Sequence, residues 1–239
     1  MSRRKIPVIE TFGPTIQGEG MVIGRKTMFV RTAGCDYRCK WCDSAFTWDG
    51  SEKHRIRMME PAELFEELIQ LAGNNFDHVT ISGGNPALIG EAMNDFIMLL
   101  QEHGMKIGLE TQGSKWQDWF LLVDDLTISP KPPSSGMETN FEILDEIIAR
   151  LNPAAFSLKV VVFDDHDFAY AKKVHKRYPA ANFYLSVGNA NPNEKGDISS
   201  RLLKSLDWLW GKVIEDPEMN NVKALPQLHA LVWANKRGV

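Results

Sequence analysis

Three cysteines, Cys35, Cys39 and Cys42, are the residues of this chain whose spacing indicates chemistry most clearly. They lie within one eight-residue window, and the remainder of the 239-residue sequence contains no cysteine. An odd, clustered set is a poor disulfide framework and fits a reducing compartment, so we expect a cytoplasmic protein with free thiols. Three thiolates on one loop can converge on a single metal centre.

The centre that suits these thiolates is an iron–sulfur cluster with one open iron. A cluster held by protein alone needs four cysteines, and the chain has no fourth. Gly34, directly before Cys35, lets the backbone turn beneath the ligands. The alternative is a closed zinc site with His54 as the fourth ligand, which would stabilise a binding module.

Composition excludes several other classes of protein. The chain is 44% hydrophobic and 24% charged, which is typical of a soluble globular protein. Its net charge of −4 disfavours direct nucleic-acid binding. The sequence contains no run of about 18 apolar residues, so it predicts no membrane-spanning helix. Because no linker or repeat divides the sequence, we expect one domain over residues 1–239, with a cluster-binding loop at about 35–57.

The elements that must position the cysteine loop are predicted to alternate between strands and helices, which favours an α/β fold with a largely parallel sheet. The six predicted strands are Met28–Thr32, His78–Ser82, Lys106–Thr111, Leu126–Ser129, Phe156–Phe163 and Asn182–Val187. The predicted helices are Pro61–Ala72, Met93–His103, a segment capped by Thr139 and Glu142, Phe168–Tyr178 and Ser200–Trp210.

Polar and glycine-containing segments follow the predicted strands. Two of them, Cys35–Arg57 and Pro130–Glu138, are long enough to be functional loops. Ligands of parallel α/β sheets bind at the carboxyl ends of the strands, so we expect the site there.

The Cys-x3-Cys-x2-Cys motif, with Trp41 before its last cysteine, resembles that of the radical S-adenosylmethionine (SAM) superfamily. The resemblance implies a [4Fe-4S] cluster whose open iron binds SAM, and one-electron cleavage of SAM to a 5′-deoxyadenosyl radical. It also implies an incomplete, TIM-like barrel of about six parallel strands, in agreement with the six predicted.

Longer segments of the sequence indicate one family within this superfamily. Pro14–Gly20, Phe29–Cys35 and Cys42–Ser44 are similar to the 7-carboxy-7-deazaguanine synthase family, as are the Gly-Gly, Glu-Thr-x-Gly and Ser-Pro-Lys segments. The short cysteine motif and the tail from Leu225 are most similar to members from Bacillus-type bacteria. The family is a set of carbon–nitrogen lyases that convert 6-carboxy-5,6,7,8-tetrahydropterin to 7-carboxy-7-deazaguanine and ammonia, for queuosine and the modification of tRNA.

The resemblance also implies roles for individual residues. The predicted pterin-binding residues are Ile16, Gln17, Gly18, Arg31 and Ser82, with Arg31 holding the substrate carboxylate. The predicted SAM-binding residues are Trp41, Cys42, Asp43, Gly84, Ser129, Pro130 and Lys131. Ser44 is the predicted Mg²⁺ ligand. The implied partners are a flavodoxin-type electron donor and a second copy of the chain in a homodimer.

Four further residues have open roles. Asn85 stands where the common superfamily motif has Glu, so it retains an acceptor for the SAM ammonium but lacks the charge. Glu110 could hold a ribose or an amino group, and His229 lies in a segment similar to the family's C-terminal region. Lys159 either needs an anionic partner inside the barrel or reaches solvent at the rim.

The radical SAM motif also leaves a second function open. The alternative radical enzyme is a glycyl-radical-enzyme activase, whose substrate is a backbone glycine of another protein.

Overall fold

The computed structural model describes residues 4–192, 194 and 196–239 and shows them arranged around a nine-stranded mixed sheet. The strands are β1 (Ile6–Ile16), β2 (Lys26–Thr32), β3 (Arg57–Met59), β4 (His78–Gly83), β5 (Lys106–Thr111), β6 (Asp125–Ile128), β7 (Phe156–Val162), β8 (Asn182–Val187) and β9 (Val222–Leu225). Their order across the sheet is β3-β1-β2-β4-β5-β6-β7-β8-β9. Within the described residues β3 and β9 do not pair with each other, so the barrel is open and partial.

The parallel part of the sheet runs from β2 through β4, β5, β6, β7 and β8 to β9. Its first six strands confirm the six predicted ones. The seventh, β9, was not predicted because it has only four residues and is incompletely buried. The antiparallel β1 and β3 were also missed, since β3 has three residues and Gly13-Pro14 interrupts the pattern of β1.

Six helices accompany the sheet in the described parts of the chain: α1 (Pro61–Ala72), α2 (Glu91–Glu102), α3 (Phe141–Ala149), α4 (Asp165–Arg177), α5 (Ser199–Glu215) and α6 (Leu228–Trp233). The bounds predicted for α1 are confirmed, whereas α6 was not predicted. The capping box expected for α3 is wrong, because Asn140 is its N-cap and accepts from the backbone N–H groups of Glu142 and Ile143. No described helix is long and apolar enough to cross a membrane.

The hydrophobic core lies between the sheet and these helices, with Phe96, Phe120, Phe156 and Phe183 among its fully buried side chains. Every residue of β7 is buried, as expected for a central parallel strand covered on both faces. Lys159 lies in the middle of that strand. A buried ammonium at this position needs an anionic partner inside the barrel.

Candidate active site

A cavity of about 620 Å³ opens at the carboxyl ends of the parallel strands. The loop after β1, the cysteine loop after β2, the ends of β4 to β8 and the segment from Gln227 to Val239 all contribute to its lining. Every predicted site residue except Pro130 lines this cavity; these are Ile16, Gln17, Gly18, Arg31, Cys35, Cys39, Trp41, Cys42, Asp43, Ser44, Ser82, Gly84, Ser129 and Lys131. The sequence elements expected at strand ends therefore meet in one place.

The cysteine loop is held against the end of β4 by close backbone packing. A Cβ atom on Gly84 would collide with the carbonyl oxygen of Gly34, and one on Gly83 would collide with Thr32. The backbone N–H of Asn85 also donates to the Gly34 carbonyl at 2.7 Å. The absence of a side chain at these two positions thus permits the close approach of the cysteine loop.

The three thiols face this cavity as free cysteines. Burial raises the pKa of all three, and the Asp43 carboxylate adds to the rise for Cys42, whose pKa reaches about 11. The ammonium of Lys131 acts in the opposite direction on Cys35 and Cys39. Three thiols with a nearby cation and directed hydrogen-bond donors fit an anionic cluster that binds through thiolates.

The zinc alternative does not fit this geometry. His54 is exposed in a short 3₁₀ turn and does not line the cavity. A closed zinc site needs its fourth ligand beside the three thiolates. The structure therefore favours the three-cysteine cluster over a Cys3His site.

The side-chain amide of Asn85 makes its hydrogen bonds within the protein. Its side-chain oxygen accepts from Thr111 Oγ1 at 2.8 Å and from the backbone N–H of Ala87 at 3.2 Å. Its amide group donates to Asp36 and to Ser114, both at 2.9 Å. Because this buried side chain is fully hydrogen-bonded within the protein, it positions the cysteine loop and has no acceptor directed at the cavity.

Arg31 lies between two aromatic rings, with its guanidinium carbon 5.5 Å from the centroid of Phe12 and 5.6 Å from that of Phe46. Its Nε is 2.9 Å from a carboxylate oxygen of Glu10, and its Nη1 donates to Ser44 Oγ at 2.7 Å. This packing fixes the plane of the guanidinium at the cavity wall. A fixed, planar donor is suited to binding a carboxylate.

Ser44 offers a hard oxygen ligand to the cavity. Its hydroxyl donates to Asp43 Oδ1 at 2.9 Å and accepts from Arg31. A hydroxyl oxygen has two acceptor lone pairs, so one remains for a cation. The Arg31 guanidinium is paired with Glu10, and the Ser44 hydroxyl with the Asp43 carboxylate beside it is a donor set that fits a Mg²⁺ ion with few protein ligands.

Lys159 points into the barrel and forms an ion pair with Glu19, in the loop after β1. The anionic partner is thus a protein side chain that the sequence analysis did not single out. Burial raises the pKa of Glu19, but Lys159, His229 and Gln227 outweigh it and bring that pKa to about 2. Burial lowers the pKa of Lys159, yet Glu19 and Glu110 raise it above its ordinary value. Both groups are charged at neutral pH.

Glu110 lies near this pair and forms no ion pair of its own among the described residues. Its carboxylate accepts from Gln17 Nε2 at 3.1 Å, and burial raises its pKa although Lys159 opposes the rise. The predicted substrate residue Gln17 therefore connects Glu110 to the rest of the loop after β1. Glu19, Glu110 and Lys159 together form a polar floor of the cavity.

The C-terminal segment covers one side of the cavity. The backbone N–H of Leu228 donates to Gly18 O at 2.9 Å, and His229 packs against Gly18. Further along, Arg237 pairs with Glu10 at 2.6 Å and with Glu52 at 2.7 Å. Sequence reasoning missed Arg237, since an arginine in an unstructured tail gives no local signal.

The open α/β barrel and its three-thiol cavity are those of a radical SAM enzyme. The sequence profile of the Radical SAM superfamily matches residues 29–183, more than half of the chain. The crystal structure of QueE from Escherichia coli has the same fold, with a TM-score of 0.63 and 21% identity over 94% of this chain and 95% of that one. Membership of the superfamily implies a [4Fe-4S] cluster and SAM.

Curated relatives give the family within that class. The 7-carboxy-7-deazaguanine synthase of Bacillus cereus is 60% identical over 98% of this chain and 99% of its own length. That of Bacillus subtilis is also 60% identical, over 98% of both chains. The enzyme of that name from Koribacter versatilis is 32% identical over 92% of this chain and 93% of its own. The chain belongs to the 7-carboxy-7-deazaguanine synthase family, and the predicted similarity to its Bacillus members is confirmed.

Proposed function

We propose that this enzyme converts 6-carboxy-5,6,7,8-tetrahydropterin to 7-carboxy-7-deazaguanine with loss of ammonia. The observation that carries the proposal is the meeting of Arg31 and the three cysteine thiols in one cavity, in a chain 60% identical to enzymes of that name. A fixed guanidinium recognises a carboxylated substrate, and the cysteines hold the group that makes radical chemistry possible. The cysteines are compatible with both radical enzymes, but the guanidinium of Arg31 in the cavity wall suits a small carboxylated substrate rather than the protein substrate that the activase alternative would require.

The cysteines Cys35, Cys39 and Cys42 would hold the [4Fe-4S] cluster. When bound, the cluster and SAM supply a radical able to take a hydrogen atom from the substrate. The proposed SAM contacts are Trp41, Cys42, Asp43, Gly84, Ser129, Pro130 and Lys131. The Lys131 ammonium, donating to Ser129 O at 3.0 Å and Ser129 Oγ at 2.9 Å, is held at the side of the thiols where an anionic group of the ligand would be neutralised.

The proposed substrate contacts are Ile16, Gln17, Gly18, Arg31 and Ser82. Arg31 orients the substrate through its carboxylate, while Gln17 lies at the polar floor and offers hydrogen bonds to the pterin ring. The segment from Gln227 to Val239 excludes water from the same space. Holding one C–H bond in a fixed, dry position is the main contribution that the protein makes to a radical reaction.

Ser44 is the proposed protein ligand of a Mg²⁺ ion, which would supply positive charge beside the bound substrate. The remaining acceptor lone pair of the hydroxyl supports this role. In a Mg²⁺ titration of turnover, Ser44→Ala is expected to weaken the response to the metal. An unchanged response would withdraw the role of Ser44 while leaving the reaction itself in place.

We further propose that a flavodoxin-type protein supplies the electron, that the enzyme acts as a homodimer in the cytoplasm, and that its product enters queuosine synthesis for tRNA modification. The experiment that tests the reaction is anaerobic incubation of the reconstituted, reduced protein with SAM and carboxytetrahydropterin. The deazaguanine product is expected by mass spectrometry, and it should be absent with Cys35→Ala. A wild-type chain that carries its cluster but forms no product would refute the proposed reaction.

A further inference from the structure

The side chain of Gln112 contacts the cysteine loop directly. It follows β5 as the variable position of the Glu110-Thr111-Gln112-Gly113 segment, and no role follows for it from the family resemblance. The side chain is only 5% exposed and lines the cavity. A buried amide at this position must form its hydrogen bonds with protein or ligand atoms.

The orientation of this amide is fixed by Asp36. Gln112 Nε2 lies 2.5 Å from Asp36 Oδ1 and 3.6 Å from Cys35 Sγ. An ionised carboxylate only accepts hydrogen bonds, so the group facing Asp36 is the NH₂ end of the amide. One of its two hydrogens goes to Asp36 and the other is directed at the sulfur.

Asp36 is itself held in place independently of Gln112. The amide of Asn85 donates to the same carboxylate oxygen at 2.9 Å, and Asn85 is secured by Thr111, Ala87 and Ser114. The only other hydrogen bond given to Cys35 Sγ in the described residues comes from the backbone N–H of Tyr37, at 3.4 Å. Gln112 is therefore the side-chain donor to this thiol.

A hydrogen bond to a thiolate ligand favours the more negative state of the group that it ligates. A [4Fe-4S] cluster carries one more electron when reduced, and hydrogen bonds to its sulfurs are among the determinants of its reduction potential. We propose that Gln112 is a positioning residue that raises the midpoint potential of the cluster held by Cys35, through an N–H···S hydrogen bond aimed by Asp36. This inference rests on the proposed function, because it requires the cluster to be bound.

The test is an anaerobic redox titration followed by electron paramagnetic resonance, comparing the reconstituted wild-type protein with Gln112→Met. Dithionite supplies one electron per cluster, converting [4Fe-4S]²⁺ to [4Fe-4S]⁺ while dithionite is oxidised to sulfite. Methionine keeps the length and neutrality of glutamine but has no donor. At a fixed ambient potential we expect the ratio of reduced to oxidised cluster to fall about three- to tenfold, a shift of about 30–60 mV to more negative potential.

Gln101→Met is the matched control, since the Gln101 amide donates to the backbone oxygen of Leu122 away from the cavity. Its midpoint potential should equal that of the wild type. A Gln112→Met protein with full iron and sulfide content and an unchanged potential would overturn the role of Gln112 alone. A wild-type protein that takes up no cluster would instead overturn the proposed function.

If Gln112→Met does not take up a cluster, a second measurement tests whether Gln112 donates a hydrogen bond to a cluster ligand. In wild-type protein labelled with ¹⁵N-glutamine, pulsed electron paramagnetic resonance of the reduced cluster should detect a weak ¹⁵N coupling. Among the described residues, Gln112 is the glutamine with a hydrogen bond to a cysteine sulfur. Absence of that coupling in the loaded wild-type protein would contradict the proposal.

Discussion

Lys159 and Glu19 form an ion pair inside the barrel, with side chains that are 7% and 13% exposed. The pair joins β7, in the middle of the parallel sheet, to the loop that carries the predicted substrate residues Gln17 and Gly18. Gln227 also donates to Glu19 at 2.7 Å, so the C-terminal segment depends on the same carboxylate. One buried charge pair thus connects three parts of the cavity wall.

Replacing Lys159 with methionine should destabilise the protein strongly, because it leaves the Glu19 carboxylate buried without its cation. We expect a loss of about 3–5 kcal/mol in the free energy of unfolding, measured by urea denaturation at neutral pH. The double variant Glu19→Gln/Lys159→Met should recover much of that loss, since no unpaired charge remains. Lys176→Met is the control: it removes an exposed pair with Glu218 and should change the free energy very little. Equal losses in the two single variants would contradict the importance of the buried pair.

The pairing of Glu19 with Lys159 should also make the free energy of unfolding sensitive to acid. The folded-state pKa of Glu19, about 2, lies below the ordinary glutamate value of 4.5 because Lys159, His229 and Gln227 outweigh the effect of burial. Its contribution to stability is therefore complete above about pH 4.5 and is lost as the pH falls from there towards 2. In wild-type protein the free energy of unfolding should decline more steeply over this range than in Glu19→Gln. Parallel pH profiles for the two proteins would show that Glu19 is not the titrating group.

Asn85→Asp distinguishes a positioning role from direct SAM binding. The substitution keeps both acceptor contacts but replaces the donors to Asp36 and Ser114 with a carboxylate oxygen, which places like charges together. We expect reduced iron and sulfide content after reconstitution, because the cysteine loop loses its support. If Asn85 bound the SAM ammonium instead, the added negative charge would lower the Kd for SAM with the cluster content unchanged.

Arg237→Ala should loosen the cover of the cavity. The arginine pairs with Glu10 and Glu52, and its guanidinium carbon lies 3.5 Å from the centroid of Phe46 in the cysteine loop. Without these contacts, hydrogen exchange should accelerate over residues 228–239 and the KM for substrate should rise about tenfold, with a smaller change in kcat. Lys204→Ala removes an exposed charge of α5 that does not line the cavity and is the control. Identical exchange in the two variants would mean that Arg237 does not hold the segment.

The sequence predicted those features that depend on local patterns. The six predicted strands are short, β-rich runs bounded by turn residues, and the three cysteines lie within eight residues of the chain, so both could be recognised directly. The meeting of the strand-end segments in one cavity followed from the geometry of parallel sheets. The short strands β3 and β9 contain too few residues for their alternation to be distinguished from loop sequence.

Interactions between distant segments could not be predicted in this way. Glu19 and Lys159 are 140 residues apart, and Glu10 and Arg237 are 227 apart, so neither pair has a local signature. Asn85 stands where the superfamily motif has glutamate, but the partners of its amide outside its own turn come from two other segments: Asp36 from the cysteine loop, and Thr111 and Ser114 from the end of β5 and the residues after it. Burial and hydrogen bonding to those partners decide its role, and both depend on the complete fold.

The measurement that tests the central claim most directly compares two substrates in the same reconstituted, reduced enzyme: carboxytetrahydropterin and tetrahydropterin without the carboxylate. Because Arg31 is held rigidly at the cavity wall, only the carboxylated pterin should be converted to a deazaguanine, and Arg31→Met should lower its kcat/KM by at least about a hundredfold. Conversion of both pterins at similar rates, or full activity in Arg31→Met, would contradict the account.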